Sequence, residues 1–252
     1  MNYNKFIKDD FLVWTMTTNG YKYFTLNLVE SLKKAKVSWN LMIVCVDRES
    51  YNFMMGMNIP CVFYKPEMPI LVGTEPSQFG SQTFMTFNKI KLDLIEKIRL
   101  EAPDSVKYIT YMDGDIIVFK DFMPHIKQKF LDLSNNILLF QNDDLYGVPN
   151  TRANGCTGFF TLKRTTLDKS PFFVDDLKLW KEVREDQVWV NNKIVEFGLP
   201  FNYLERDLFP NGPYVKNGAW RKCDPYLIHY NYIVGTDKKN YMKRLKHWFI
   251  IY

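Results

Sequence analysis

Tyr108-Ile-Thr-Tyr-Met-Asp-Gly-Asp-Ile-Ile-Val-Phe119 is the most strand-like stretch of the chain, and it is broken by two carboxylates one residue apart. Strand interiors disfavour Asp and Gly, and like charges this close repel. A cation is the first candidate to compensate them. Side chains at i and i+2 of a strand share a face, so Asp113 and Asp115 can grip one divalent ion, with Gly114 allowing a bend. All-oxygen ligation suits Mg²⁺ or Mn²⁺. The bland alternative is a hairpin turn, where Asp-Gly-Asp is common. The apolar residues on both sides argue against it, because they embed the acids in buried structure.

The flanking sequence gives the fold class. Phe11–Thr17 reads as a buried strand ending in a Thr18-Asn19-Gly20 turn. Apolar residues at 24, 28, 32 and 35 have helical spacing over 21–35. Leu41–Val46 and Cys61–Tyr64 read as further strands, 65–82 as a loop, and Phe84–Ile98 as a long helix leading into Lys107–Met112. Strands alternating with helices at this rhythm predict an α/β fold with a mostly parallel sheet. Ligands then bind at the carboxyl ends of the strands, where Thr17–Gly20 and Asp113–Asp115 both fall. Neither common Gly-rich phosphate loop is present. Further strands are expected over 136–141 and 158–162, and helices over 174–183, 186–197 and 236–248.

The chain has 252 residues, 46% hydrophobic and 24% charged, with no linker, repeat or low-complexity tract, so one domain is expected. Its halves would be about 1–120, with the nucleotide-binding sheet, and about 121–252. A net charge of +5 fits a site for an anionic small molecule and is too weak to indicate nucleic acid. Cys45, Cys61, Cys156 and Cys223 show neither paired nor zinc spacing, which points to a reducing compartment. The N-terminus lacks the apolar core of a signal peptide, and no stretch is long enough to span a membrane. A cytoplasmic protein is expected.

Near the end, His229 follows an apolar Tyr-Leu-Ile. Imidazole is a good third ligand for the cation and favours Mn²⁺ over Mg²⁺; a half-buried structural histidine is the alternative. Gly235 permits close backbone approach, and Lys238, at a helix start, can hold a phosphate.

Strand–Asp-x-Asp–strand followed by His229-x-Asn-x-x-x-Gly235-x-x-Lys238 resembles a GT-A fold glycosyltransferase. The chain is most similar to the nucleotide-diphospho-sugar transferase family (family seventy-seven), related to the glycogenin-like family (family eight). Further matching stretches are Asn154–Phe159, Asp186-Gln187 and Leu208–Gly212. Lys239-Asn240 stands where the glycogenin-like pattern has Pro-Trp, which favours family seventy-seven. The likeness covers about Thr15 to Trp248.

This resemblance implies a metal-dependent, retaining glycosyltransferase with a UDP-sugar donor and a glycan or other hydroxyl acceptor. Asp113, Asp115 and His229 would hold the metal. Thr17, Thr18, Asn19 and Tyr21 would line the base and ribose pocket, Gly114, Gly235 and Lys238 would lie by the phosphates, and Lys89 near the phosphates or donor sugar. Asn154, Thr157 and Gly158 would border sugar and acceptor, with Asp186 and Gln187 near the anomeric carbon. Trp220, in a Gly- and Arg-flanked loop, is the candidate acceptor platform. Asp186 could instead cap a helix, and Asn154 and Thr157 could be turn residues. Rival readings are a nucleotidyltransferase or nucleotide-sugar hydrolase, and a catalytically silent binding module on the same sheet. The tail Lys238–Tyr252 offers either an interfacial helix for peripheral membrane contact or a helix packed on the domain.

Overall fold

The computed structural model describes residues 1–67, 73–76, 80–144, 153–183 and 185–251. Parts of the expected 65–82 loop lie outside the described residues. The elements run β1 (Ile7–Lys8), β2 (Phe11–Thr17), α1 (Lys22–Ala35), β3 (Met42–Cys45), α2 (Arg48–Gly56), β4 (Cys61–Phe63), α3 (Gln82–Glu101), β5 (Tyr108–Met112) and β6 (Ile116–Val118). They continue as α4 (Met123–Asp132), β7 (Leu138–Asn142), β8 (Gly155–Lys163), α5 (Leu177–Val183), α6 (Asp186–Phe197), β9 (Phe201–Tyr203), α7 (Gly212–Lys216), β10 (Leu227–His229) and α8 (Gly235–Arg244).

The main sheet has the order β4-β3-β2-β5-β8-β7-β9, with β1 pairing β2. The first four strands are parallel, and β8 runs antiparallel between β5 and β7. Strand β2 is buried on both faces, as expected of a parallel strand with helices on either side. Its alternate residues separate the core in two. Leu12 and Trp14 pack with Ile109 and Tyr111 of β5 under α3 and α6, through Phe87, Ile90, Ile98 and Trp189. Phe11 and Val13 pack with Tyr108 and Met112 against α1 and α4, through Leu28 and Ile126. Each such side chain contributes about 1.5–3 kcal/mol by leaving water, so both layers are firmly held.

Three local outcomes differ from the sequence reading. Asp113–Asp115 is neither strand nor hairpin turn. It is a turn joining two sheets, because β6 leaves the main sheet and pairs antiparallel with β10. In that ribbon His229 faces Ile116, which sets the imidazole beside Asp115. The helix expected from Val174 starts at Leu177, because Asp176 Oδ1 accepts from the N–H groups of Lys178 and Leu179 at 2.9 Å each. The tail helix ends at Arg244 rather than Trp248, and Lys246 takes a left-handed conformation (φ 60°). Beyond it, the buried Asn27 clamps the tail, donating to His247 O at 2.9 Å and accepting from Phe249 N–H at 2.6 Å. Trp248 packs edge-on against Phe24, so the tail aromatics are used in packing and not displayed as an interfacial face. Among the described residues, no helix is long and apolar enough to cross a membrane.

Candidate active site

The carboxyl ends of β2 and β5, the start of β8, the first turn of α6 and the start of α8 surround a cleft of about 550 Å³. Thr17, Thr18 and Tyr21 line one end. Asp113, Gly114, Asp115, His229, Gly235 and Lys238 line the middle, and Thr157, Gly158, Asp186 and Gln187 the other wall.

The middle group is built from ionic pairs. His229 Nε2 lies 3.3 Å from Asp115 Oδ1 and 3.6 Å from Asp113 Oδ2. The opposite ring nitrogen, Nδ1, meets Gln141 Oε1 at 2.9 Å. A carbonyl oxygen can only accept, so Nδ1 carries a proton, and Nε2 is the nitrogen that faces the carboxylates and is free to bind an ion when the ring is neutral. Gln141 is itself fixed by donating to Phe209 O at 3.2 Å. This is the support a metal-ligating histidine needs. Lys238 Nζ donates to Asp115 Oδ2, and Tyr111 OH donates to Asp113 Oδ1 at 2.7 Å. Among the described residues, His229 Nε2 and Asp115 Oδ1 are nevertheless buried without a hydrogen-bond partner. One atom from each of Asp113, Asp115 and His229 falls within 4.8 Å of the others. Two orphaned buried atoms in a set of two carboxylates and one imidazole fit a Mn²⁺-type ion.

The electrostatics agree. Burial pushes the Asp115 carboxyl up, but the Lys238 and His229 charges outweigh it and hold the pKa far below the usual carboxylate range. Asp113 is lowered too: burial raises it, and Lys91 and His229 more than offset that. Burial would lower His229, yet the Asp115 charge and smaller contributions from Cys156 and Asp113 lift it well above 6.5. Without an ion the ring therefore attracts a proton into the place an ion would take.

Gly158 makes this packing possible. A Cβ there would lie 2.2 Å from His229 Cε1 and 2.5 Å from Asp113 Oδ2. Gly114 is equally constrained, since its Cβ would meet Thr25 Oγ1 at 2.7 Å.

The far wall is organised by a lysine that sequence reasoning missed. Lys91 Nζ lies 2.7 Å from Asp186 Oδ2 and 3.6 Å from Asp113 Oδ1, fully buried. Burial would lower its pKa, but the two aspartates raise it above the usual lysine value. Lys89 is different: its ammonium pairs with Asp93 one turn along α3, away from the cleft. Residues two positions apart on a helix are rotated by about 200°, so Lys89 and Lys91 cannot share a face. Lys91 lies one turn from Phe87 and next to Leu94 on the apolar stripe. That position was the available signal for a buried cation.

Asp186 does not cap α6. Its Oδ2 accepts from Thr157 Oγ1 at 2.9 Å as well as from Lys91, and Glu185 is the residue at the cap position. Gln187 Nε2 donates to Asp143 Oδ2 at 2.8 Å and approaches Asn154 Oδ1 at 3.4 Å. Asn154 lies behind the cleft wall, with its amide donating to Asp144 Oδ1 at 3.1 Å. Asn19 also stands back: its N–H donates to Asp47 Oδ2 at 2.8 Å and its Oδ1 accepts from Lys22 at 2.7 Å. Trp220 lies outside the cleft. A short 3₁₀ turn, Ala219–Lys222, lays its indole 5.5 Å from the His247 ring. Trp180 and Trp189 pack edge to face at 5.8 Å in the core.

The sequence profile of nucleotide-diphospho-sugar transferases matches residues 37–245. The chain belongs to the nucleotide-diphospho-sugar transferase family. It is 24% identical over 262 aligned positions to the β-arabinofuranosyltransferase RAY1 of Arabidopsis thaliana, covering 92% of this chain and 46% of that protein. The chain thus spans about half the length of this curated relative. Among solved structures, the galactosyltransferase LgtC, with donor and acceptor sugar analogues, has a TM-score of 0.56 at 14% identity, covering 86% of each chain. Mouse xyloside xylosyltransferase 1 has a TM-score of 0.51 at 12% identity, covering 87% of this chain and 96% of its own. The relatives and structural neighbours of this family member are glycosyltransferases, and its fold is that of GT-A enzymes.

Proposed function

We propose that the chain is a metal-dependent, retaining glycosyltransferase that moves a hexosyl or pentosyl group from a UDP-sugar to a carbohydrate or other hydroxyl acceptor. The observation that carries this reading is the pair of orphaned buried atoms, Asp115 Oδ1 and His229 Nε2, facing Asp113 in the cleft. Family membership supports a nucleotide-sugar donor. The names of the relatives span arabinofuranosyl, galactosyl and xylosyl transfer, so no single sugar follows from them. The unpaired spacing of the four cysteines in the sequence is the ground for placing the protein in a reducing, cytoplasmic setting.

Asp113, Asp115 and His229 would hold Mn²⁺, or Mg²⁺ less well because imidazole prefers the transition ion. When bound, the ion supplies Lewis-acid stabilisation to the diphosphate leaving group. Lys238 adds a fixed positive charge beside it. The start of α8, with Gly235 at φ 54°, directs backbone N–H groups at the same place. Thr17, Thr18 and Tyr21 take the nucleoside, with Asn19 holding their loop to Asp47. Lys91, Asp186 and Thr157 form one network that orders the donor sugar. Because Gln187 Nε2 is tied to Asp143, its Oε1 is left for the developing positive charge at the anomeric carbon.

The test is release of UDP from a panel of UDP-hexoses and UDP-pentoses, in Mn²⁺ and in EDTA, with the anomeric configuration of product read by NMR. Mn²⁺-dependent turnover with retention supports the proposal. Nucleotide binding with no turnover of any donor, with or without acceptor, would favour the silent binding module. Turnover in EDTA would remove the metal-dependent reading.

A further inference from the structure

The cleft holds a second group of polar residues that the donor and metal do not use. Asp143, at the end of β7, is 5% exposed, yet no lysine or arginine pairs with it among the described residues. It is held by amides instead. Asn211 Nδ2 donates to Oδ1 at 2.9 Å, Asn231 Nδ2 to Oδ1 at 3.3 Å, and Gln187 Nε2 to Oδ2 at 2.8 Å. Among the described residues, Oδ1 has both lone pairs engaged, whereas Oδ2 keeps one. Burial raises the Asp143 pKa, and the Gln187 and Asn231 hydrogen bonds with the more distant His229 and Arg206 charges only partly offset this. A buried carboxylate without an ion pair is costly, and among the described residues Oδ2 has capacity for one more donor.

Beside it stands an aromatic face. Tyr232 is 46% exposed, unusual for a ring lining a deep cleft. Its other side rests on Gly212. A Cβ there would lie 2.9 Å from Tyr232 Cδ2 and 3.4 Å from Asp143 Oδ1, so the bare glycine backbone is the common floor of ring and carboxylate. Gly212 has φ 53° and its N–H donates to Asn231 Oδ1 at 2.7 Å. Val234, 64% exposed, extends the apolar rim beside the ring. Glu185 lines the same end of the cleft and is also raised by burial, Asp186 and Asp143.

We propose that Tyr232 and Asp143 form the acceptor subsite, and that it takes a neutral sugar stacked on the Tyr232 ring with one hydroxyl donating to Asp143 Oδ2. Sugar rings present apolar C–H faces that suit an exposed aromatic, and their hydroxyls supply the donor a buried carboxylate lacks. Asp143 and Glu185 line this end of the cleft and Arg206 does not, so acceptors with carboxylates or sulfates are repelled. This deepens the glycosyltransferase reading and rests on it. It moves the acceptor platform from Trp220, packed against His247, to Tyr232.

The experiment uses the wild-type chain with the donor that it hydrolyses best, and methyl glycosides of galactose, glucose, xylose, arabinose and glucuronic acid as acceptors. The expected result is transfer to at least one neutral glycoside and none to the glucuronide. Tyr232→Ala should raise the acceptor KM at least tenfold, and Tyr232→Phe should keep it within about threefold. UDP–Mn²⁺ thermal stabilisation of both variants should match wild type, which shows that they fold and bind nucleotide. Asp143→Asn should also raise the acceptor KM. An unchanged acceptor KM in folded Tyr232→Ala, or preferred transfer to the glucuronide, overturns the subsite while leaving the transferase reading intact. Wild-type chain that turns over no UDP-sugar removes that reading, and this subsite with it.

Discussion

Gly158→Ala places one methyl group at the centre of the candidate metal set. The added carbon would sit 2.2 Å from His229 Cε1, 2.9 Å from His229 Nε2 and 2.5 Å from Asp113 Oδ2. Carbon contacts are favourable near 3.5–4.0 Å, so the imidazole and carboxylate must each retreat by about 1 Å or more. His229 cannot move freely, because Gln141 holds its Nδ1 and the ring is fully buried. Overpacking of this kind costs about 1–3 kcal/mol. If that cost falls on the ion-bound arrangement, Mn²⁺ affinity drops roughly 5- to 150-fold, at 1.4 kcal/mol per factor of ten. Gly155→Ala is the control. Its Cβ would lie 2.5 Å from the Phe140 ring, an equally severe clash in the core and not against the proposed ligands. Calorimetric titration of Mn²⁺ in the presence of UDP should show the loss in Gly158→Ala alone, while both variants lose thermal stability. Wild-type Mn²⁺ affinity in folded Gly158→Ala would refute the assignment of His229 and Asp113 as a joint ion site.

Three more outcomes follow from the geometry. Lys91→Met leaves Asp113 and Asp186 without their shared buried cation, and should cost about 3–5 kcal/mol in urea unfolding; a loss below about 1 kcal/mol would show the network carries little stability. Gln141→Leu frees the Nδ1 side of His229 and should weaken Mn²⁺ binding about 10–100-fold, with no change expected if the imidazole is only structural. His247 is held neutral by burial with its pKa lowered to about 4, and its Nδ1 lies 2.5 Å from Tyr230 OH. Unfolded chain takes up the proton near pH 6.5 and folded chain near 4, so stability from this group is full above pH 6.5 and lost as pH falls towards 4. His247→Gln should remove about 1–2 kcal/mol of that pH dependence, read as urea midpoints at pH 7.5 and 5; parallel pH profiles in the two proteins would contradict it.

The strands and helices of the first half were legible because a parallel sheet buries both faces and writes itself as unbroken apolar runs, as in Phe11–Thr17 and Tyr108–Met112. The separation of the two sheets at Asp113–Asp115 was not, since Ile116–Val118 is equally apolar in either sheet. Only its distant partner Leu227–His229 decides where it goes. That Asp113, Asp115, His229 and Lys238 come together was readable because a carboxylate pair, an imidazole and an ammonium in apolar surroundings need one another. Lys91 was hidden by its neighbour Lys89, which has the same charge and looks more exposed to a ligand. Asp143, with Asp144, reads in the sequence either as a second acidic site near the acceptor or as a loop, and Tyr232 was hidden. Their pairing depends on Gly212 bringing β7 and the turn after β10 together, and nothing in either local stretch announces that contact.

The central claim is that Asp113, Asp115 and His229 hold one divalent ion with the nucleotide diphosphate. Electron paramagnetic resonance of Mn²⁺ titrated with the chain tests it most directly, because free hexaaquo Mn²⁺ gives a six-line signal that fades on binding. The account predicts loss of that signal at one equivalent of protein, tighter with UDP than without, and return of the free signal in Asp115→Asn. A free signal that persists in wild-type protein with saturating UDP, or that fades equally in Asp115→Asn, would contradict it.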